Sequence, residues 1–253
     1  MSLTIDLSGR RAVVTGAGKG IGRAICLALA QAGADVFAVS RTESDLLSLA
    51  EDVREFGGQY GYLVAEVGSA ASAEAIASAA TEALGDVNVL VNNAGIAQNN
   101  LAELVSEAEW DATFDTNVKG AFFCAQALGR QMLHRGFGRI INVTSQAGLV
   151  ALREHAAYGA SKAALELVTR VLAVEWAGRG VTVNAIAPTV ILTPLGERVW
   201  GRPEQSEPML AKIPVGRFGQ PPEVAGAVVF LASDLSAMIN GATLVIDGGY
   251  TAQ

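Results

Sequence analysis

The chain has 253 residues, of which 51% are hydrophobic and only 17% charged, a composition that can bury a large core and excludes a disordered or fibrous protein. Its 18 Lys and Arg stand against 25 Asp and Glu, a formal charge of −7 that argues against broad binding to a polyanion such as nucleic acid. Two cysteines (Cys26, Cys124) and two histidines (His134, His155) make no cluster with metal-ligand spacing, so no metal site is expected.

Met1 to Arg11 shows neither the apolar core nor the cleavage site of a secretory signal, and no apolar run of about 18 residues follows. The expectation is a cytoplasmic protein with no membrane span, its thiols reduced and buried in helices. Short β-branched runs predict strands at Ala12–Thr15, Asp35–Ser40, Gly61–Glu66, Val87–Val91, Arg139–Thr144, Val181–Ala187 and Thr243–Ile246. Helical segments are predicted between them, near 20–32, 43–56, 70–84, 106–134, 156–177 and 221–233. The central strands read as continuous apolar runs, as strands buried on both faces do, and intervening helices imply parallel crossovers. The expected fold is α/β: one Rossmann-like doubly wound domain over residues 1–253, a seven-stranded parallel sheet flanked by helices.

Pro188–Pro222 breaks that rhythm and holds all seven prolines. A connection this long is usually functional, and ligands of open α/β sheets bind beyond the carboxyl ends of the strands. A substrate lid over residues 189–220 is expected; the other reading is an excursion packed on a partner subunit.

After the first strand, Thr15-Gly16-Ala17-Gly18-Lys19-Gly20-Ile21-Gly22-Arg23 runs straight into a helix. Glycines allow a tight turn and let backbone N–H groups approach a pyrophosphate at the helix N-terminus. The spacing is T-G-x-x-x-G-x-G, not the common G-x-G-x-x-G. Where an acid would hold the adenosine ribose of NAD at the end of the second strand, Ser40-Arg41-Thr42 stands, with no acid before Glu43. Arg41 and Lys19 suit an extra phosphate, so NADP(H) is favoured over NAD(H); the plainer alternative is two solvated surface charges.

Tyr158 and Lys162 lie four apart on a predicted helix and so share one face. A free tyrosine titrates near ~10, and a neighbouring ammonium should lower that value and suit the phenol to proton exchange with a hydroxyl or carbonyl. After the fourth strand, Asn92-Asn93-Ala94-Gly95 can pin strands with its amides while the small pair leaves room for a ligand.

Together, Thr15–Gly22, Asn92-Asn93-Ala94-Gly95, Ser145 and Tyr158-Gly159-Ala160-Ser161-Lys162 resemble the short-chain dehydrogenase/reductase family, and the likeness extends to Asp247-Gly248-Gly249. The resemblance implies an enzyme that exchanges hydride between a nicotinamide and a carbonyl or secondary alcohol. It implies a catalytic set of Asn117, Ser145, Tyr158 and Lys162, with Ser145 on the substrate oxygen, Lys162 on the nicotinamide ribose and Asn117 positioning a water. The cofactor would lie against Gly16, Gly18, Lys19, Gly20, Ile21, Gly22, Ser40, Arg41, Thr42, Glu66, Val67, Asn93, Ala94, Gly95, Tyr158 and Lys162. Pro188, Val190, Ile191 and Thr193 would meet the nicotinamide carboxamide. Two departures stand out: Thr189 where the family has Gly, and Glu66 before Val67 where it commonly has Asp.

Within the family, Val14–Arg23, Ala38–Thr42, Pro188-Thr189-Val190 and Met209-Leu210 with Ile213-Pro214 resemble members that reduce ketoses or small α-dicarbonyls with NADPH. Substrate-facing candidates are Ser145, Ala147, Leu149, His155, Tyr158, Thr189, Leu195 and Trp200. A 3-oxoacyl-[acyl-carrier-protein] reductase is the rival enzyme, and would need Arg130, Arg135, Arg139 and Arg179 as a basic docking surface. A non-catalytic NADP(H)-binding scaffold is the rival of another class. The family resemblance also implies a homotetramer built on the long helices and the last strand.

Overall fold

A computed structural model describes residues 4–193, 196, 200 and 202–253. Seven parallel strands, β1 (Arg11–Thr15), β2 (Asp35–Ser40), β3 (Tyr60–Val64), β4 (Val89–Asn92), β5 (Gly138–Val143), β6 (Val181–Pro188) and β7 (Thr243–Ile246), form one sheet in the order β3-β2-β1-β4-β5-β6-β7. Alternate residues of a strand face opposite ways, and here both faces are apolar. Val14, Val36, Val91 and Ile141 pack on α1 (Gly20–Gln31), α2 (Glu43–Arg54) and α8 (Pro221–Ala232). Val13, Phe37, Leu90 and Ile140 pack on α3 (Ala70–Leu84), α5 (Ala121–Arg135) and α6 (Ala156–Trp176). The predicted doubly wound α/β fold is therefore the observed one, with strand ends shifted by up to two residues.

The sheet order reverses at β1, whose neighbours are β2 and β4 in matching register, Val14 opposite both Ala38 and Val91. Connections leaving the carboxyl ends of β1 and β4 run apart there and open a crevice. Every motif picked out above lies at or beyond that edge.

One long helix was expected over 106–134; the chain makes three pieces. Ser106 and Glu109 form a reciprocal cap at the start of α4 (Glu107–Phe114), a π-helical turn spans Asp115–Gly120, and α5 follows. The turn is held by the buried Asn117 and by Gly120, where a Cβ would lie 2.9 Å from the Gly68 nitrogen and 3.1 Å from the Val67 Cβ. Both the wide turn and the missing side chain let the connection after β3 close against it.

The proline-rich excursion is stitched at its base. Leu192 N–H donates to the Gly219 carbonyl at 2.8 Å and Gly219 N–H to Val190 at 3.0 Å, so the two ends lie side by side. Between them is a helix that the sequence reading did not place, α7 (Pro203–Leu210), with Pro203 at its first position, where a missing N–H costs nothing. Thr189 continues β6, its N–H donating to the Ile246 carbonyl at 3.1 Å. Thr189 is not among the non-glycine residues with positive φ, so the Gly-to-Thr departure brings no left-handed strain.

Candidate active site

The glycine loop is built to lie against β4. Gly16 (φ +65°) and Gly20 (φ +56°) take conformations that side chains resist. At Gly22 a Cβ would sit 2.2 Å from the Gly16 carbonyl oxygen, so the loop closes onto its helix only without one. Asn93 locks the arrangement, its Nδ2 donating to the carbonyls of Thr15 and Gly16, both at 3.0 Å. The Thr15 hydroxyl accepts from the N–H groups of Asn93 and Ala94, both at 3.1 Å. Asn92 does the same between strands, its amide donating to Asn142 Oδ1 at 2.9 Å and to the Ala121 carbonyl at 3.1 Å.

Beyond this edge lies a cavity of about 320 Å³, lined among others by Gly16, Gly18, Lys19, Ser40, Arg41, Thr42, Glu66, Val67, Ala94 and Gly95. Val39, Asp45, Ala65, Ile96 and Thr116 also line it, and sequence reasoning missed all five. Strand periodicity could have offered Val39 and Ala65; nothing in the sequence marks Asp45, which returns to the loop one helical turn after Thr42. The glycines let its walls come close: a Cβ at Gly18 would lie 3.0 Å from Ser40 Oγ, and one at Gly16 2.8 Å from the Ala94 Cα. Neither cation expected at its rim stands free. Lys19 Nζ pairs with Asp45 at 3.2 Å, and Arg41 with Glu66 at 3.6 Å.

Gly95 joins this cavity to the catalytic candidates: a Cβ on it would lie 3.3 Å from both Lys162 Nζ and Asn117 Oδ1. Tyr158 and Lys162 project from one face of α6, with Nζ 5.7 Å from the phenol ring centre. Lys162 is buried and donates to the Val143 carbonyl at 2.8 Å, at the end of β5. Burial pulls its ammonium down to about 8, against the opposing effect of the Glu166 carboxylate. The expectation of a lowered Tyr158 is corrected: burial raises the phenol above its ordinary value, and a hydrogen bond with Ser145 only partly opposes this. The ammonium lies over the phenol ring but spends its hydrogen bond on the Val143 carbonyl, and desolvation outweighs it.

Ser145 Oγ accepts from the Ala147 N–H at 3.2 Å, placing it on the short turn after β5 that faces the start of α6. Asn117 is held by protein: Oδ1 accepts from the Ile96 N–H at 2.8 Å, and Nδ2 donates to the Ile96 carbonyl at 2.9 Å and Ser161 Oγ at 3.0 Å. Its side chain thus ties the π turn to the strand edge, and one acceptor position on Oδ1 stays open to a water. Glu166, one turn beyond Lys162, was also missed; buried, it accepts hydroxyl donors from Thr144 and Thr243. The signal was available in the register 158, 162, 166.

His155 stacks edge-on to Tyr158 at 5.9 Å between ring centres. Its Nδ1 lies 2.6 Å from the Arg153 carbonyl and must carry the proton, which leaves Nε2 to accept from Asn99 Nδ2 at 3.3 Å. Ala147 is buried, Leu149 is exposed, and Trp200 packs on Phe218 at 5.6 Å. Leu195 lies outside the described residues. Thr193 reaches the glycine loop, where a Cβ on Gly20 would be 2.9 Å from its methyl group, while Pro188 ends β6 and Val190 opens the stitched base. The Ile191 side chain is buried in the core with Val224 and Val228, beside its pairing with Gly219. Ile21 likewise packs on that core through its side chain.

Residues 16–251 match the family model described as enoyl-(acyl carrier protein) reductase. The chain belongs to the short-chain dehydrogenase/reductase family, oxidoreductases that act on alcohol and carbonyl groups with a nicotinamide cofactor. Within it, the chain is 47% identical over 245 residues to D-threitol dehydrogenase of Mycolicibacterium smegmatis, covering 97% of this chain and 94% of that protein. It is 41% identical to a protein named NAD-dependent glycerol dehydrogenase of Listeria innocua (97% and 95% covered) and 41% identical to L-xylulose reductase of Bos taurus (99% and 100%). A crystal structure of a gluconate 5-dehydrogenase from Burkholderia cenocepacia in complex with NADP and tartrate superposes with a TM-score of 0.94 at 35% identity, covering 99% of this chain and 98% of that one.

Proposed function

We propose that the protein is an NADPH-dependent oxidoreductase that interconverts a small ketose or dicarbonyl with its alcohol, a polyol in the ketose case. The observation that carries this is the convergence of Ser145, Tyr158 and Lys162 beside a cavity with phosphate-binding character. Relatives named for threitol, glycerol and xylulose support a small polyhydroxylated substrate.

In this reading Gly16, Gly18, Gly20 and Gly22 hold the cofactor phosphates, with Lys19, Ser40, Arg41 and Thr42 at the adenosine end. Lys162 orients the nicotinamide ribose, and Thr193 with Pro188 and Val190 borders the nicotinamide. When bound, the nicotinamide gives or takes the hydride. Ser145 fixes the substrate oxygen, and Tyr158 gives its phenolic proton to that oxygen as the carbonyl carbon is reduced. The Lys162 ammonium steadies the phenolate left behind, and oxidation runs through the same groups in reverse. A raised Tyr158 suits reduction, because the phenol holds its proton at neutral pH. The stitched excursion over 189–220 serves as the lid in this single-domain reading of 1–253, with Trp200 and His155 toward the substrate.

The carrier-protein alternative finds little support. Arg130 and Arg135 pair with Glu74 and Asp86, and Arg139 is buried. Arg135, Arg139 and Arg179 flank the amino-terminal ends of β5 and β6, the far end of the sheet from Ser145. Two free, buried cysteines agree with a reducing cytoplasm, and no described helix is long and apolar enough to cross a membrane.

Initial rates with NADPH and NADH over a ketopentose, diacetyl, an aryl ketone and an acetoacetyl thioester test the proposal. Turnover of the ketose or diketone with NADPH, lost by about 10²–10⁴-fold in Tyr158→Phe, is expected. Preference for the thioester, or NADPH binding with no turnover of any carbonyl, would overturn it.

A further inference from the structure

In the reading above, Lys19 and Arg41 select NADP(H), yet each is already answered by an acid on the cavity wall. Of the two acids, Asp45 is the better placed. Its side chain is 20% exposed against 72% for Lys19, so the carboxylate is the fixed member of the pair and the lysine the mobile one. The glycine loop holds it close, since a Cβ on Gly18 would lie 3.0 Å from the Asp45 Cβ and 3.4 Å from its Oδ2. Asp45 also sits in the first turn of α2, where its charge favours the helix end, so it is retained without any ligand. Glu66, by contrast, is 70% exposed and 3.6 Å from an equally exposed Arg41, a contact that solvent weakens.

We propose that Asp45 is a specificity-determining residue for the cofactor: it lines the adenosine cavity, competes with a 2′-phosphate for Lys19, and so narrows the preference for NADP(H) over NAD(H). An incoming phosphate must take Lys19 from Asp45 and then lie near a carboxylate, and like charges at close range oppose binding. A ribose that carries only hydroxyls meets no such opposition, and Asp45 can accept a hydrogen bond from it. With two cations and two acids around the rim, the rim is nearly neutral, and discrimination is small. The inference rests on the cofactor reading above, in that it takes this cavity for the adenosine site.

The test measures binding and not turnover, by calorimetry on the full-length protein with adenosine 2′,5′-bisphosphate, AMP, NADPH and NADH. Asp45→Asn should tighten adenosine 2′,5′-bisphosphate and NADPH by roughly 3- to 5-fold at low salt, the scale of an exposed ion pair, and leave AMP and NADH unchanged or weaker. In a Lys19→Gln background the same substitution should change the bisphosphate by much less, because the residue it competes for is gone. Equal shifts for all four ligands, or no shift for the bisphosphate, would overturn the role of Asp45. Wild-type protein that prefers NADH, with Asp45→Asn still moving the ratio toward NADPH, would overturn the NADP(H) reading and uphold this one.

Discussion

Lys162 shows what a residue's surroundings add to its identity. Spacing from Tyr158 put both on one helical face, and the structure agrees; spacing did not reveal that Lys162 is buried, bound to a strand carbonyl, and brought to about 8. The sign follows directly. Below about pH 8 the group is an ammonium that can steady the Tyr158 phenolate; above it the charge is lost while the phenol, raised by burial, still holds its proton. Reductive kcat/KM should therefore decline above pH about 8 on a single basic limb. Glu166 raises the Lys162 value, so Glu166→Gln should move that limb to lower pH, and Glu166→Asp should restore part of it. A pH–rate profile on the three proteins decides this; a limb unmoved in the Gln variant would confine Glu166 to holding Thr144 and Thr243. Chemistry-bearing residue types in register could be read from the chain. Glu166 stood in that register, though its partners Thr144 and Thr243 come only with folding; Asp45 could not be read, because it matters only through Lys19 and the glycine loop that folding brings to it.

Elements were legible where period and punctuation agreed. Strands β2 and β7 and helix α3 fall where the apolar pattern put them, and for β2 burial on both sides of the sheet leaves few alternatives. The pattern failed at Asp115–Gly120, since a single π turn is too short to set a period of its own between two helical stretches. Glycines discriminate these cases more sharply than helices do. Gly22→Ala would place a methyl 2.2 Å from a backbone oxygen, and Gly120→Ala one 2.9 Å from a backbone nitrogen. Each should cost about 1–3 kcal/mol in urea unfolding, the scale of an overpacked core, and Gly22→Ala should also weaken NADPH binding by displacing the loop. Gly226, exposed in the middle of α8 with nothing within 4 Å of its would-be Cβ, should do the opposite. Alanine there should stabilise by about 0.5–1 kcal/mol through propensity alone. Equal effects at the three sites would show that close backbone approach is not what these glycines provide.

At the scale of the whole molecule, α6 is apolar on two sides. Its buried side sets Ser161, Lys162, Glu166 and Thr169 among Ala157, Leu165, Leu172 and Ala173, while Leu167, Val171 and Val174 lie exposed on the other, Val174 to 83%. Of the buried apolar groups, Leu172 and Ala173 pack on the sheet; the apolar outer side is not accounted for within one chain. Positions 167, 171 and 174 form one stripe at helical spacing, continuing Ala160 and Ala163, as a helix that packs on a second helix would. Further apolar groups are exposed elsewhere: Trp110 on α4, and Leu244 with Met238 at and before the edge strand β7. Two separate apolar surfaces on one chain, each meeting its own copy across a two-fold axis, would close as a homotetramer. Light scattering at assay concentration should therefore give a tetramer. Val171→Asp with Val174→Asp should reduce it to dimers that keep the β7 contact, with far-ultraviolet circular dichroism unchanged because neither side chain is buried within the chain. The catalytic face of α6 points the other way, so loss of activity in that dimer would report strain passed through the helix to Tyr158 and Lys162. A wild-type monomer would leave the stripe unexplained and remove the assembly from the proposal.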